Sequence, residues 1–172
     1  MNRAATTRCL LAGLAVCMFA ACATLRQPLG SASWDGACYD GLRGDAEFLS
    51  GPDAYDCGLL HLDARDGAQT QIAACARDAV ASGRPYRFGY QSLGTDTLYC
   101  DVAVRAPDGQ LWTLYFDDEG TLGGHAVLSV RRCKDLRFER GTIGKGSFFA
   151  SGGCADQDHS MFDVLAARRA AK

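Results

Sequence analysis

The sequence predicts an α+β fold in which one helix packs on a curved antiparallel sheet of four to five strands. Three stretches between Leu98 and Cys133 alternate apolar and polar side chains, with the period of two that is typical of a half-buried strand. Before them, apolar side chains recur with helical spacing through the alanine-rich residues 66–83. We therefore expect the element order β-α-β-β-β-β, followed by a short C-terminal helix.

The segment from Ala106 to Gln110 fixes how the first two strands of this meander pair. Pro107 presets φ for a type I turn and Gly109 takes the left-handed position, so the connection is a three-residue loop with a bulge. Counting back from the loop brings apolar or cysteine side chains together on one face, in the pairs Val104 with Trp112, Val102 with Leu114, and Cys100 with Phe116. We expect the alanine-rich helix to cover this face.

The remaining elements before the meander follow from short local patterns. Residues 58–63 are predicted to form the first strand, and the helix ends at Gly83, a residue typical of a C-terminal cap. Tyr86–Tyr90 is the next strand and places three aromatic rings on one side. Residues 37–57 are rich in glycine and are predicted to form an irregular loop with only a short turn at 46–49.

Beyond the meander, two further elements are expected. Residues 136–139 are predicted to extend the sheet. The C-terminal helix is predicted over Asp158–Ala171, with its start at Ser160 and with Phe162 and Leu165 directed inward.

The first 21 residues have the pattern of an export signal, with basic side chains followed by a short apolar run. Phe19-Ala20-Ala21-Cys22 resembles the lipobox of bacterial lipoproteins, which implies lipidation of Cys22. Plain secretion after cleavage near Ala23 is the alternative. Because Ala23 directly follows the lipidated cysteine, the resemblance implies that the protein is anchored on the periplasmic side of the outer membrane. Residues 22–36 then form a flexible tether, and 37–172 a single disulfide-stapled domain.

Cysteine usage agrees with export. Of nine cysteines, two lie in the leader and one is Cys22, which leaves an even set in the mature chain: Cys38, Cys57, Cys75, Cys100, Cys133 and Cys154. An even set in an exported chain predicts three disulfides. The expected layout favours sequential pairing, Cys38–Cys57, Cys75–Cys100 and Cys133–Cys154, with other pairings left open.

Charge disfavours two classes of partner. The chain has 18 basic and 20 acidic side chains, for a net charge of −2 at pH 7. Basic residues do not cluster and are not interleaved with aromatic ones, so nucleic acid and anionic lipid head groups are not expected partners.

Residues with catalytic or metal-binding potential do not form a recognisable motif. His125 with the acids at 117–119 is the nearest approach to a cation site, but the spacing matches no EF-hand, and a solvated hairpin tip is the favoured interpretation. His61 is interpreted as a solvent-facing strand residue and His159 as part of a helix entry. No nucleophile elbow, phosphate loop or zinc motif occurs. We therefore expect no cofactor, no metal and no enzymatic activity.

One face of the predicted sheet has the composition of a binding surface. Tyr99, Thr113 and Tyr115 alternate with the buried set and share a face with Val127 and Ser129. Tyrosine is enriched in protein interfaces. An ordinary outer face covered by the C-terminal segment is the alternative interpretation.

Two resemblances extend this view. Ser82–Gly124 resembles a family of small, uncharacterised proteobacterial exported lipoproteins, through Ser82-Gly83-Arg84-Pro85-Tyr86, Gly94-Thr95-Asp96, Asp108-Gly109-Gln110-Leu111-Trp112 and Tyr115-Phe116-Asp117-Asp118. The element order is also similar to the cystatin-like architecture, whose inhibitors carry Gln-x-Val-x-Gly in a hairpin. Gln91-Ser92-Leu93-Gly94 occupies that hairpin, one residue short and with Leu for Val. This resemblance implies that Gln91 and Leu93 contribute to binding.

These expectations converge on a lipid-anchored envelope protein that acts as a non-enzymatic protein-binding module with a protein partner. The alternatives are an inhibitor or immunity-type protein directed against a cell-wall hydrolase or protease, and a periplasmic hydrolase whose site the sequence does not reveal.

Overall fold

The computed structural model describes residues 34, 36, 38–64, 66–95, 97–118, 127–138 and 149–171. The elements in chain order are α1 (Leu42–Ser50), β1 (Tyr55–Leu60), α2 (Asp66–Ser82), β2 (Tyr86–Leu93), β3 (Leu98–Arg105), β4 (Leu111–Asp118), β5 (Val127–Cys133), β6 (Asp135–Phe138), β7 (Phe149–Gly152) and α3 (His159–Ala170). The predicted α+β class is confirmed. No helix in these ranges has the length and apolarity needed to cross a membrane.

The main sheet has five strands in the order β1-β2-β3-β4-β5. β1 runs parallel to β2, whereas every other neighbouring pair is antiparallel, so the sheet is mixed. The expectation of a wholly antiparallel sheet was therefore wrong at β1. The physical reason is the connection through α2, because a strand–helix–strand crossover returns the chain in the same direction.

The β3–β4 hairpin has the predicted register. Cys100 lies opposite Phe116, Val102 opposite Leu114, and Val104 opposite Trp112. The loop closes through hydrogen bonds from the Ala106 N–H to the Gln110 carbonyl (2.8 Å) and from the Gly109 N–H to the Ala106 carbonyl (2.9 Å). Gly109 has φ +85°, the left-handed conformation that the bulge requires.

Substitution of Gly109 tests this turn. Gly109→Ala is expected to lower the free energy of unfolding by about 1–2 kcal/mol, because a Cβ penalises left-handed backbone. The matched control is Gly67→Ala in α2, where an added Cβ meets nothing within 4 Å. Because alanine stabilises a helix more than glycine does, the control is expected to raise the free energy of unfolding by about 0.5 kcal/mol. Urea unfolding measures both, and equal effects would contradict the turn assignment.

A hydrophobic core lies on each side of the sheet, and α2 lies on the face opposite to the predicted one. The apolar face carries Cys100, Val102, Val104, Trp112 and Leu114. It packs against α1 and α3. The aromatic face carries Tyr86, Phe88 and Tyr90 and packs against α2. The placement of α2 over the apolar face was therefore wrong.

The β2–β3 turn explains where α2 lies. The Gly94 N–H donates to the Thr97 carbonyl (2.8 Å), and the resulting register sets Tyr90 opposite Asp101 and Phe88 opposite Ala103. The aromatic rings of β2 therefore share a face with the odd-numbered side chains of β3. Since α2 packs on those rings, it lies on the side away from Val102.

α1 was predicted as an irregular loop, and the structure corrects this. Leu42, Ala46 and Leu49 recur at helical spacing and are buried against the apolar face. The buried Asp45 carboxylate accepts hydrogen bonds from the Tyr39 hydroxyl (2.8 Å) and from Arg169 of α3. This ion pair links the two helices that cover the apolar face.

α3 confirms the predicted C-terminal helix. Leu165 is fully buried and Phe162 packs against the same core. The helix lies within the predicted range Asp158–Ala171, but its N-cap is Asp158 rather than Ser160, because the Asp158 side chain accepts a hydrogen bond from the Met161 N–H (3.1 Å). β6 does not extend the main sheet. It pairs with β7 in a separate two-stranded ribbon.

The six cysteines from Cys38 onward form three disulfides, Cys38–Cys100, Cys57–Cys75 and Cys133–Cys154. The third pair was predicted, and the other two were predicted wrongly. Cys75 lies on α2 at the aromatic face, whereas the Cys100 side chain points into the apolar face, so the sheet separates them. Cys38 therefore pairs with Cys100 at the apolar face, and Cys57 with Cys75 at the aromatic face.

The first strand lies earlier in the chain than expected. β1 covers Tyr55–Leu60 rather than 58–63, with a bulge between Asp56 and Leu59. Gly58 within this bulge has φ +79°. Beyond the bulge, the neighbouring Leu59 and Leu60 point to opposite faces, the first into the core at the apolar face and the second into the core at the aromatic face.

Candidate functional site

A polar cleft opens on the aromatic face beyond the part that α2 covers. Its volume is about 570 Å³. The sheet supplies Tyr90, Asp101, Thr113, Tyr115 and Arg131, and β7 of the ribbon adds Phe149 and Ser151 as a side wall. Four neighbouring strands and the ribbon thus contribute to one cavity.

Strand register explains why these side chains meet. Tyr90, Asp101, Tyr115 and Ser129 lie opposite one another in a single row across β2 to β5. Side chains in such a row project to the same face of the sheet. Arg131 belongs to the next row, opposite Thr113. The site therefore depends on the same pairing that the Gly109 turn establishes.

Asp101 is the acidic group of the cleft. Its carboxylate accepts a hydrogen bond from the Tyr90 hydroxyl (3.1 Å). Burial raises the pKa of Asp101 to about 6, although the Tyr90 hydrogen bond and the positive charge of Arg131 each lower it in part. Desolvation therefore dominates, and this carboxylate is ionised at neutral pH at a cost in free energy.

Arg131 is the basic group of the cleft. Its Nε donates to the Ser129 hydroxyl at 3.1 Å, which directs the guanidinium along the β5 edge of the sheet. Within the described part of the chain, no carboxylate lies within 4.0 Å of Arg131 and no basic nitrogen lies that close to Asp101. The cleft thus holds one positive and one negative side chain that do not pair.

Tyr115 forms the floor between these charges. Its hydroxyl donates to Asp117 Oδ2 (2.9 Å), and its ring lies 5.9 Å from that of Tyr99. Burial, followed by the neighbouring Asp117, raises the pKa of Tyr115 well above its ordinary value, so it is a neutral donor. Asp117 Oδ1 is buried without a partner among the described residues.

The structure divides the residues predicted for binding. Tyr99, Thr113 and Tyr115 share the aromatic face as expected, and two of them line the cleft. Gln91 and Leu93 project to the other side, because they lie opposite Cys100 and Leu98. Gln91 is buried, donating to the Gly36 carbonyl (2.9 Å) and accepting from the Leu62 N–H (3.2 Å), whereas Leu93 is exposed.

Sequence reasoning missed the charged members of the cleft. Asp101 and Arg131 occupy alternate strand positions that point to the same face of the sheet as Tyr115. This alternation is the feature of the sequence from which they could have been predicted. Neither of them is among the residues predicted for the binding face. Phe149 and Ser151 had no signal, because they reach the cleft through the separate β6–β7 ribbon.

Neither of the two described histidines lines the cleft. His61 is half-buried just after β1, and His159 is exposed at the start of α3. His125, Glu119 and Cys22, the residue predicted to be lipidated, lie outside the described residues. The described ranges contain no group of three His, Cys, Asp or Glu side chains that would hold a metal ion.

Comparison with known proteins adds no assignment. No protein-family model, no curated protein and no solved structure matches the chain. A functional assignment therefore depends on the chemistry of the cleft.

Proposed function

We propose that this chain is a lipid-anchored binding protein of the cell envelope, which holds a protein partner at the cleft without transforming it. The observation that carries the proposal is the cavity of about 570 Å³ in which Asp101, Tyr115 and Arg131 converge. A volume in this range suits a ligand or a projecting segment of a partner. The three disulfides support an oxidising, exported location.

The cleft has the properties of a preorganised recognition site. Its side chains stand on strands in regular register rather than on loops, so little ordering is needed on binding. Tyrosine and arginine contribute most to binding at protein interfaces. Cys133–Cys154 ties the end of β5 to the segment that precedes α3, which further restrains the strand that bears Arg131.

The hydroxyls of Thr113 in the cleft and of Ser129 beside it support binding over catalysis. The Ser129 hydroxyl accepts from Arg131 (3.1 Å), and the Thr113 hydroxyl lies 3.8 Å from Cys133 Sγ. A nucleophile needs a general base within hydrogen-bond reach. In the described part of the cleft, Asp101 accepts from Tyr90 and no serine or threonine hydroxyl bonds to it.

Site-specific photo-crosslinking in the intact envelope tests the proposal. A benzophenone amino acid at Tyr115 is expected to capture one discrete protein. The same probe at Val164, an exposed apolar position on α3, serves as the matched control. In the purified complex, Tyr115→Ala is expected to weaken binding at least tenfold.

Different outcomes would refute or refine different parts of the proposal. Absence of a product at Tyr115, or an identical product at Val164, would remove the cleft as the binding surface. Turnover of the captured partner would instead identify a hydrolase, and inhibition of a captured enzyme would specify an inhibitor. Processing that is insensitive to globomycin would exclude the Cys22 anchor.

A further inference from the structure

We propose that the group bound in the cleft is zwitterionic, a short peptide segment whose ammonium group meets Asp101 and whose carboxylate meets Arg131. This inference rests on the proposed binding function and names the chemistry of its ligand. The observation behind it is the pair of opposite charges that line one cavity and have no ion-pair partner within the described residues.

Strand spacing explains why these charges do not neutralise each other. Asp101 is on β3 and Arg131 is on β5, with β4 between them. Two strand spacings separate their backbones by about 10 Å, and they also lie in different rows. Arg131 is held along β5 by its hydrogen bond to Ser129. A ligand with two opposite charges a few ångströms apart is needed to satisfy both.

A bound ammonium group would also relieve the desolvation of Asp101. The Asp101 carboxylate accepts a hydrogen bond from the Tyr90 hydroxyl, but burial has removed much of the water that would otherwise hydrate it. A cationic donor restores favourable interactions to a buried charge through a charge-assisted hydrogen bond. A guanidinium likewise binds a carboxylate through two parallel hydrogen bonds, and Arg131 lines the cleft with its Nε bonded to Ser129.

The walls suit the apolar and planar parts of a peptide. The Tyr115 ring lies between the two charged positions, and Phe149 of the ribbon closes one side. Aromatic faces pack against peptide planes and attract ammonium groups. Thr113 and Ser151 add hydroxyls at the same surface. A ligand of net zero charge therefore matches the cleft better than a simple cation or anion does.

A series of capped peptides tests this inference by NMR titration of the full mature protein. The probes are Ala-Ala with both charges, its N-acetyl form with only the carboxylate, and its C-terminal amide with only the ammonium group. We expect Ala-Ala to bind at least tenfold more tightly than either capped form, with shifts at the Thr113 and Ser129 amides. A fully capped Lys-Ala-Glu peptide tests whether an internal segment of a protein presents the same two charges.

Two variants should each weaken the binding of a different pair of the dialanine probes, so that the contribution of each charge is measured separately. Asp101→Asn is expected to weaken Ala-Ala and the amide about tenfold and to leave the N-acetyl form unchanged. Arg131→Gln is expected to weaken Ala-Ala and the N-acetyl form while leaving the amide unchanged. The matched control is Arg132→Gln, because Arg132 projects from the other face over the Trp112 ring.

The outcomes distinguish this inference from the proposed function. Equal affinity of the three dialanine probes, or no shift with any of the four peptides at millimolar concentration, overturns the zwitterionic ligand. If crosslinking at Tyr115 still captures a protein in that case, the binding function stands and only its chemistry is wrong. If the two variants weaken peptide binding in this way but no protein is captured, the zwitterionic site stands and the protein partner does not.

Discussion

Asp56→Ala is expected to lower the free energy of unfolding by about 3 kcal/mol, because the buried Arg87 loses its nearest carboxylate and keeps only the more exposed Glu47, 3.7 Å away. Arg87 on β2 is only 4% exposed. Its guanidinium donates to Asp56 Oδ2 at 2.8 Å. The other carboxylate oxygen accepts from Trp34 Nε1 and from the Gly58 N–H, each at 2.9 Å. Asp56 thus joins β2 to the β1 bulge and to the segment before α1.

Urea unfolding with the disulfides intact measures this loss. Asp53→Ala, at an exposed position in the preceding turn, is the control and should change stability by less than about 0.5 kcal/mol. The double variant Asp56→Ala/Arg87→Met should lose less than the sum of the single losses, by at least about 1 kcal/mol, because it removes both charges together. Additive losses would contradict a coupled ion pair.

The fold was predictable where local chemistry decides it. The Pro107–Gly109 turn selects its own loop type, so the β3–β4 register followed from a few adjacent residues. α2 was equally local, since its apolar period and Gly83 at its end depend on no distant contact. Asp101 and Arg131 could have been placed on one face by the same counting, had the register been carried through to β5.

The choice of face for α2 required non-local information. It depends on the register of β2 against β3, which the turn at Gly94–Thr97 sets and which was not worked out from sequence. Two wrong disulfides followed directly from that one choice, because Cys75 and Cys100 were assumed to share a core. α1 was obscured by Gly41 and Gly51, which bound a helix that tertiary packing stabilises.

Asp101→Asn is expected to stabilise the protein by up to about 3 kcal/mol at pH 8 and by almost nothing at pH 4. The carboxyl group has a pKa of about 6 in the folded protein and 3.8 as its ordinary value. A raised folded pKa means that the native state binds the proton more tightly than the unfolded chain. Stability from this group is therefore full below about pH 4 and is lost as the pH rises through 6.

The asparagine variant removes this titration and keeps the local contact. Its amide oxygen still accepts from the Tyr90 hydroxyl, so the row across the sheet is preserved. The other titratable groups that face the position, Tyr115 on β4 and Arg131 on β5, are the same in both proteins. Their contributions cancel when the variant is compared with the wild type at each pH.

Urea unfolding of both proteins between pH 4 and pH 8 gives the stability difference directly. Asp63→Asn, at an exposed position, is the control and should give a flat difference near zero. If the stability difference between Asp101→Asn and the wild type did not change with pH, the ionised Asp101 carboxylate would not destabilise the fold. A stability cost that is built into a cleft and relieved by a neutral isostere is characteristic of a group retained for binding rather than for folding. The variant that gains stability should therefore be the one that loses the ammonium ligand.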